Sequence, residues 1–455
     1  MKHIEHDPPW VTLKELLAAG AQQEVDSYLT SLPADDVARG MLRLSEEERQ
    51  GVLRALTPKA AARILEQLPE SEAANLLGAI DAEDAATIVE ELPSNERADI
   101  LRDVQPPDAE EILAEMPPSE AQETRAMVRY PDDVAGGLMI TEYLSFSRDR
   151  TVGEVVNDLR VHAQEYRGYD VQYIYVTSGA HALAGVINMR DLILGQAERT
   201  IGQLMIPEPA RVLDTASLDE LRGFFDRHHY LAVPVVDSTH QLRGVVRSVD
   251  VAGALGDRGA SDFRQAQGII GGDELRTMPV LLRARRRLSW LSVNVLLNIA
   301  AASVIAVYQD TLAAAIALAV FLPIISDMSG CSGNQAVAVS IRELALGLVR
   351  PNELARVWVG EILVGVVNGV LLGLLVALAA WLWKANAFLG LVVGAALAFN
   401  TLIAVSIGGL VPLVLKRFRM DPALASGPIL TTITDMCGFF LLLRLATAVL
   451  PRLVP

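Results

Sequence analysis

Five long apolar stretches fill the C-terminal part of the chain, at 288–309, 312–341, 355–383, 387–415 and 424–450. Each reaches the roughly 20 residues that a helix needs to cross a hydrocarbon core of about 30 Å. They read as five membrane-spanning helices, the second of them interrupted. Basic residues fix the orientation. Arg283, Arg285, Arg286 and Arg287 precede the first span, Arg342, Arg350 and Arg356 follow the second, and Lys416, Arg417 and Arg419 follow the fourth. The opposite side holds little beyond Lys384 and Arg452. The positive-inside rule puts the N-terminus in the cytosol and the C-terminus outside. The stretch from Met1 to Trp10 is polar and has no apolar signal-peptide core.

The rest of the chain is of another kind. Net charge is −16, yet mean hydropathy is +0.31. Of 55 acids and 39 bases, 48 acids and 25 bases precede residue 276, a net of −23 against +7 for the remainder. An acidic water-soluble region therefore precedes the membrane bundle. Such acidity repels phosphate, so nucleic acid is excluded as a partner and cations suit it. The two cysteines, Cys331 and Cys437, lie in apolar stretches and read as packing residues.

Residues 33–128 divide into eight blocks of twelve, among them TPKAAARILEQL, PESEAANLLGAI and DAEDAATIVEEL. The fourth position is usually acidic, and positions 8, 9 and 12 are usually Ile, Leu, Val or Met. Pro, Ser, Thr or Asp near each block start suits a helix N-terminus. Positions 8, 9 and 12 share one helical face. Each block is then a two-turn helix that cannot bury its face alone, and the stack makes an α-solenoid.

From about 140 to 255, short β-branched runs alternate with helices. The strand pair VQYIYV (171–176) and AGVINM (184–189) recurs as LAVPVVD (231–237) and RGVVRS (243–248). The helices VGEVVNDLR and LDELRGFFDR precede the two pairs. The second strand of each pair enters a helix through an acid, Asp191 and then Asp250. This duplication resembles a tandem pair of CBS domains, modules that often bind adenine nucleotides. The resemblance makes Asp191 the candidate nucleotide contact, with Asp250 as its counterpart and ATP as a candidate ligand. The Ser or Thr usual three residues before the acid is replaced here by Asn188 and Arg247.

Polar residues inside the spans mark a path. The second span contains SDMSGCSGNQ at 326–335, including Asp327, Asn334 and Gln335. So many polar groups do not sit against lipid, and irregular backbone at this depth needs protein or a watery path beside it. In the fifth span, Thr431 and Thr432 stand four and three residues before Asp435, on its face of the helix. A carboxylate near mid-membrane costs on the order of 3 kcal/mol, and such residues mark ion or proton paths. Glu361 in the third span reads as structural.

YPDDVAGGLM (130–139), the paired CBS modules, the basic entry to five spans, SGNQ (332–335), and DPALASGP followed by TTITDMCG (421–438) occur together in this order. The arrangement resembles the MgtE family of magnesium channels over nearly the whole chain. The resemblance implies a multi-domain protein: an acidic α-solenoid N-domain at 1–130, a tandem α/β CBS pair at 131–257, a connecting plug helix at 258–285 and a five-helix transmembrane pore domain at 286–455. It implies a homodimer in the bacterial inner membrane, with Mg2+ as the transported ion and the pore between subunits. It makes Asp435 the acid that holds the hydrated ion, and Asn334 and Gln335 the end of the second-span motif. Cytosolic magnesium would close the pore through the connector, with Asp250 and Asp262 as candidate regulatory metal ligands and Asp273 and Glu274 as further connector acids. Ser329, Gly330 and Cys331 stand where the family commonly has Gly-Gly-Asn, so cobalt or another divalent cation is the alternative cargo. No enzyme is expected: the HExxH of intramembrane metalloproteases is absent, since His3 and His6 flank only Ile4 and Glu5.

Overall fold

The computed structural model describes residues 8–453 apart from 170, 171, 180, 267, 270–273, 275, 277, 419 and 421. The chain forms two compact units, Met1–Arg258 and Gly259–Pro455.

The first unit opens with the solenoid. Helices begin at Ala34, Glu46, Pro58, Glu70, Ala82, Ser94, Pro106 and Pro118, the second residue of each block. Positions 8, 9 and 12 bury in one continuous core, as in Ile64, Leu65 and Leu68, or Ile100, Leu101 and Val104. Each such side chain contributes about 1.5–3 kcal/mol on leaving water. Ser45 and Thr57 cap their helices through side-chain oxygens, Ser45 in a reciprocal capping box with Glu48. Asp81 makes no such bond, and Pro33, Pro69, Pro93 and Pro117 stop the preceding turn instead. Two further helices, Pro9–Ala18 and Gln22–Ser31, precede the repeats.

Two small sheets follow. In one, β1 (Leu144–Ser147) pairs parallel with β2 (Tyr173–Ser178), β2 antiparallel with β3 (Ala182–Asn188), and β3 with β4 (Ile206–Pro207). In the other, β5 (Val212–Leu213) pairs parallel with β6 (Ala232–Val236), and β6 antiparallel with β7 (Leu242–Arg247). A Leu-Met-Ile segment leads into each sheet and docks on a glycine. Met205 covers Gly185 of β3, and Met139 covers Gly244 of β7, where a Cβ would lie 2.7 Å from its sulfur. Ile140 accordingly bridges to Val245, which ties the entrance of the first copy to the last strand of the second.

In the second unit five helices are long and apolar enough to cross a membrane: Val280–Val307, Ile316–Ala345, Leu354–Lys384, Ala387–Arg417 and Gly427–Ala448. The fourth is the centre: 61% of its most apolar 18-residue stretch is buried, against 6% for the first. It packs on the third through glycines at helical spacing. A Cβ at Gly369, Gly373 or Gly390 would stand 2.6–2.7 Å from a carbonyl oxygen of the opposite helix. Close backbone approach replaces the hydrophobic effect as the source of adhesion here.

Two expectations are corrected. The break of the second span does not fall in the Gly-containing polar run, which lies within one helix, Phe321–Ala345. It falls earlier, where the short helix Gln309–Ala314 gives way at Ala315 to a 3-10 turn over Ile316–Val320. The connector is not one helix. Its first part continues the helix Ser248–Ala266, and its last part belongs to Val280–Val307. Gly268, at φ +79°, and Pro279, just before the span helix, separate the two. At that glycine the backbone passes against Trp290, where no side chain would fit.

Candidate functional site

The second and fifth spans cross at their polar residues. Asp435 is 7% exposed and accepts a hydrogen bond from the Ser326 hydroxyl. Gly333, one helix face along, takes Leu430 of the fifth span and the Ala404 carbonyl of the fourth against its bare Cα. Gly333 thus serves close packing, whereas a Cβ at Gly330 would meet nothing within 4 Å, and the helix runs through both unbroken. Asp327 and Asn334 lie seven residues apart on one helix face, and both are exposed, as is the neighbouring Gln335. On the fifth span Thr431 is exposed and Thr432 half-buried, its hydroxyl donating to the Pro428 carbonyl at 2.8 Å. The structure therefore joins Asp435 to Ser326. It leaves Asp327, Asn334, Gln335 and Thr431 on open surface of the single chain.

Three polar residues of this layer were not singled out from sequence. Ser326 was visible only as part of the run. Asn400 of the fourth span and Thr434 are both fully buried, and the Asn400 amide donates to the Thr434 carbonyl at 3.0 Å. An asparagine within a long apolar helix is the signal that could have found the pair, because an unmet amide there is costly. Glu361 packs its stem on Gly409 of the fourth span, where a Cβ would be 2.6 Å from its Cγ.

The regulatory candidates fall in different surroundings. Asp191 is 37% exposed at its side chain and takes a 3.2 Å hydrogen bond from Asn188. Asp250 is 11% exposed, and Arg247 grips both its oxygens at 2.7 Å. Each acid is thus held by the residue standing in place of the usual Ser or Thr, not used as a helix cap. Asp250 and Asp262 share one helix but are separated by about 18 Å of rise, so they would serve separate sites. Glu274 pairs with Arg287, and Asp273 lies outside the described residues.

Asp250 has other company. Solenoid acids lie close to it and to one another. Burial pushes Glu70 and Glu96 up to about 7 and Asp99 to about 6. Neighbouring charges add to this: Asp99, Asp103, Asp257 and Asp132 for Glu70, and Glu66 and Asp250 for Glu96. The solenoid meets the sheets nearby. Glu142 accepts from the Ser94 amide and hydroxyl at 3.0 and 2.8 Å, and Tyr130 donates to Asp214 at 2.9 Å. Gly136 and Gly137 leave room for Tyr130 and the Pro131 carbonyl, which gives YPDDVAGGLM its purpose as a joint. Among the described residues no three His, Cys, Asp or Glu side chains converge as a ready metal cage.

Residues 322–445 match the MgtE family, described as a divalent cation transporter, and residues 32–133 match the MgtE intracellular N domain. A CBS domain matches residues 201–257. The magnesium transporter MgtE of Bacillus subtilis is 30% identical over 325 residues, 71% of this chain and 71% of its own length. The chain belongs to the MgtE family. The magnesium transporter MgtE of Thermus thermophilus is likewise 30% identical, over 72% of each chain. A solved cytosolic domain of the Mg2+ channel MgtE in complex with ATP is 29% identical, with a TM-score of 0.49, and covers 54% of this chain and 99% of its own. MgtE membership makes this a membrane transport protein of a magnesium-transporting family, with a helical N-domain, a CBS pair and a transmembrane bundle. Its family is not one of enzymes.

Proposed function

We propose that this MgtE family member is a homodimeric magnesium channel of the bacterial inner membrane, with its acidic N-terminal region in the cytosol. Mg2+ enters passively: a dication moving inward gains roughly 4.6 kcal/mol per 100 mV of membrane potential, so no ATP hydrolysis is needed. The observation that carries the reading is Asp435, an acid deep in the last span that leans on Ser326 of the polar run. Magnesium sheds water reluctantly, so a few carboxylates and hydroxyls hold it through its hydration shell. Asp327, Asn334, Gln335, Thr431 and Thr432 contribute to the same path, with the open faces of the second and fifth spans turned to the partner subunit.

Cytosolic magnesium closes the channel in this proposal. The crowded Glu70, Glu96 and Asp99 beside Asp250 repel while ionised, and a dication that binds only the compact arrangement shifts the balance toward it. The plug segment at 258–285 carries this to the pore, with Asp262 as a second regulatory ligand. ATP binding at the CBS pair belongs to the same reading and uses Asp191, the more open acid. Cobalt or another divalent cation is the alternative cargo, since Cys331 is exposed and a thiol favours softer metals than magnesium.

Growth of a magnesium-starved transport mutant tests the core of this. The native protein is expected to restore growth and Asp435→Ala to fail at equal membrane abundance. Equal rescue by both would remove Asp435 from the path. Cleavage of the cytosolic region by a protease should slow when magnesium is added, and an unchanged pattern would sink the gating model.

A further inference from the structure

Asn400 sits in the fourth span with no exposed surface, among the buried apolar residues Val393, Ala396, Leu397 and Ala404. A leucine would fill such a place without the cost of burying an amide. Among the described residues the amide makes one bond, to the carbonyl of Thr434, the residue directly before Asp435. Its own Oδ1 has no partner among the described residues. In an α-helix the Thr434 carbonyl already receives the amide four residues on, that of Gly438. Asn400 therefore adds a second donor from outside the helix.

The approach depends on Gly438. A Cβ there would lie 2.5 Å from Asn400 Nδ2 and 3.0 Å from Ile325 Cγ2 of the second span. Thus the second, fourth and fifth spans meet at one level, and Ser326 is the next residue after Ile325. The Thr434 hydroxyl turns back to the Thr431 carbonyl at 3.0 Å, so no side chain of that residue competes for Asn400. A fixed grip on the carbonyl before Asp435 sets both the rotation and the height of the fifth span at its acid.

We propose that Asn400 is a positioning residue for the ion path. It holds the fifth span so that the Asp435 carboxylate meets Ser326 and faces the ion. The inference rests on the reading of Asp435 as the ion-holding acid. A displaced carboxylate weakens attraction for the hydrated ion, so the effect appears in the magnesium concentration that half-saturates entry. A purely structural asparagine would change only the amount of folded protein, and with it the maximal rate.

The experiment uses the full-length protein in liposomes, with magnesium entry followed by an internal indicator across a range of external Mg2+. Asn400→Leu is expected to raise the half-saturating concentration about five- to tenfold. Gly438→Ala, which disturbs the same contact from the other helix while keeping the asparagine, is expected to shift it in the same direction. It also serves if Asn400→Leu does not fold. Asp435→Asn, run in parallel, is expected to abolish saturable entry. An unchanged half-saturation in the folded Asn400 or Gly438 variant, with Asp435→Asn inactive, overturns the inference and leaves the channel reading standing. A native curve from Asp435→Asn overturns that reading, and this inference with it.

Discussion

The cytosolic unit and the membrane bundle handle carboxylates in opposite ways. The solenoid can crowd acids together because water screens most of them, and those it partly buries hold protons more tightly than usual. The bundle buries Asp435 and answers it with Ser326, because each charge in lipid costs far more. Under the proposed function, numbers of acids would suit a region that senses ions, and a single placed acid one that passes them. Particular glycines add a second contrast. At Gly369, Gly373 and Gly390 of the spans glycine lets backbones touch, whereas at Gly51 and Gly78 of the solenoid a Cβ would meet only ordinary contacts.

The sharpest way to break that comparison is to fill a span glycine. At Gly373 a Cβ would stand 2.6 Å from the Gly394 carbonyl and 3.0 Å from the Ala398 Cβ, both backbone-fixed. Gly373→Leu should cost more than about 4 kcal/mol, beyond the range of ordinary overpacking. Size-exclusion chromatography in detergent should then give aggregate in place of a single peak. A monodisperse, transporting variant would refute the helix contact.

Next comes the solenoid's own buried charge. Arg49 donates to Glu72 at 2.6 Å, with side chains 14% and 5% exposed. Glu72→Ala strands the guanidinium and should cost about 3 kcal/mol in urea unfolding of residues 1–258. A loss below about 1 kcal/mol would mean that the arginine finds water, as at a surface pair.

Acidity tests the crowded acids. The folded-state values of Glu70 and Glu96, about 7, lie above the ordinary 4.5, and that of Asp99, about 6, above 3.8. Between those limits the folded region binds more protons than the unfolded chain, so stability falls as pH rises from about 4.5 to 7 and levels off above. Melting of residues 1–258 should therefore rise by about 2–5 °C between pH 7 and pH 5.5. Glu96→Gln should flatten the slope. Added Mg2+ should stabilise more at the higher pH, where the sites are ionised. A melting temperature that climbs with pH would reverse the assignment.

Periodicity made the solenoid legible, since every helix start from Ala34 onward follows the twelve-residue count, as do the core positions of all blocks but the last, where Thr124 and Arg125 replace the apolar pair. The duplication made the sheets legible, with strands displaced by a residue or two. What crossed between copies was not. The pairing of Met139 with Gly244 and of Met205 with Gly185 depends on which strand lies beside which, and no local pattern encodes that. The membrane site was half legible. Asp435 stood out by its cost in lipid, but its bond to Ser326 depends on how two helices rotate against each other. The glycines of the polar run signalled a break because glycine weakens a lone helix. Packing of Gly333 against Leu430 and Ala404 offsets part of that weakness, and the break went to an apolar segment without a local signal. The connector misled in the same way. Its helical character follows only from its place in the family's order, whereas Gly268 and Pro279 stand between two separate helices.

The smallest effect has the opposite sign. Gly78 follows the solenoid helix Glu70–Leu77 at φ −69° and ψ −8°, which any residue adopts. A Cβ there would meet Ala74 O and Asp108 Oδ2 at 3.5 Å and Val104 Cγ1 at 3.9 Å, ordinary contact distances. Nothing in the folded state needs glycine, while the unfolded chain gains freedom from it. Gly78→Ala should thus stabilise residues 1–258 by about 0.4–1 kcal/mol, seen as a higher urea midpoint with unchanged slope. Gly369→Ala, whose new Cβ would stand 2.7 Å from the Ala398 carbonyl, should destabilise the bundle by the same chemical change. If both substitutions moved stability in one direction, glycine would play one role in both units, and the contrast between them would rest on charge alone.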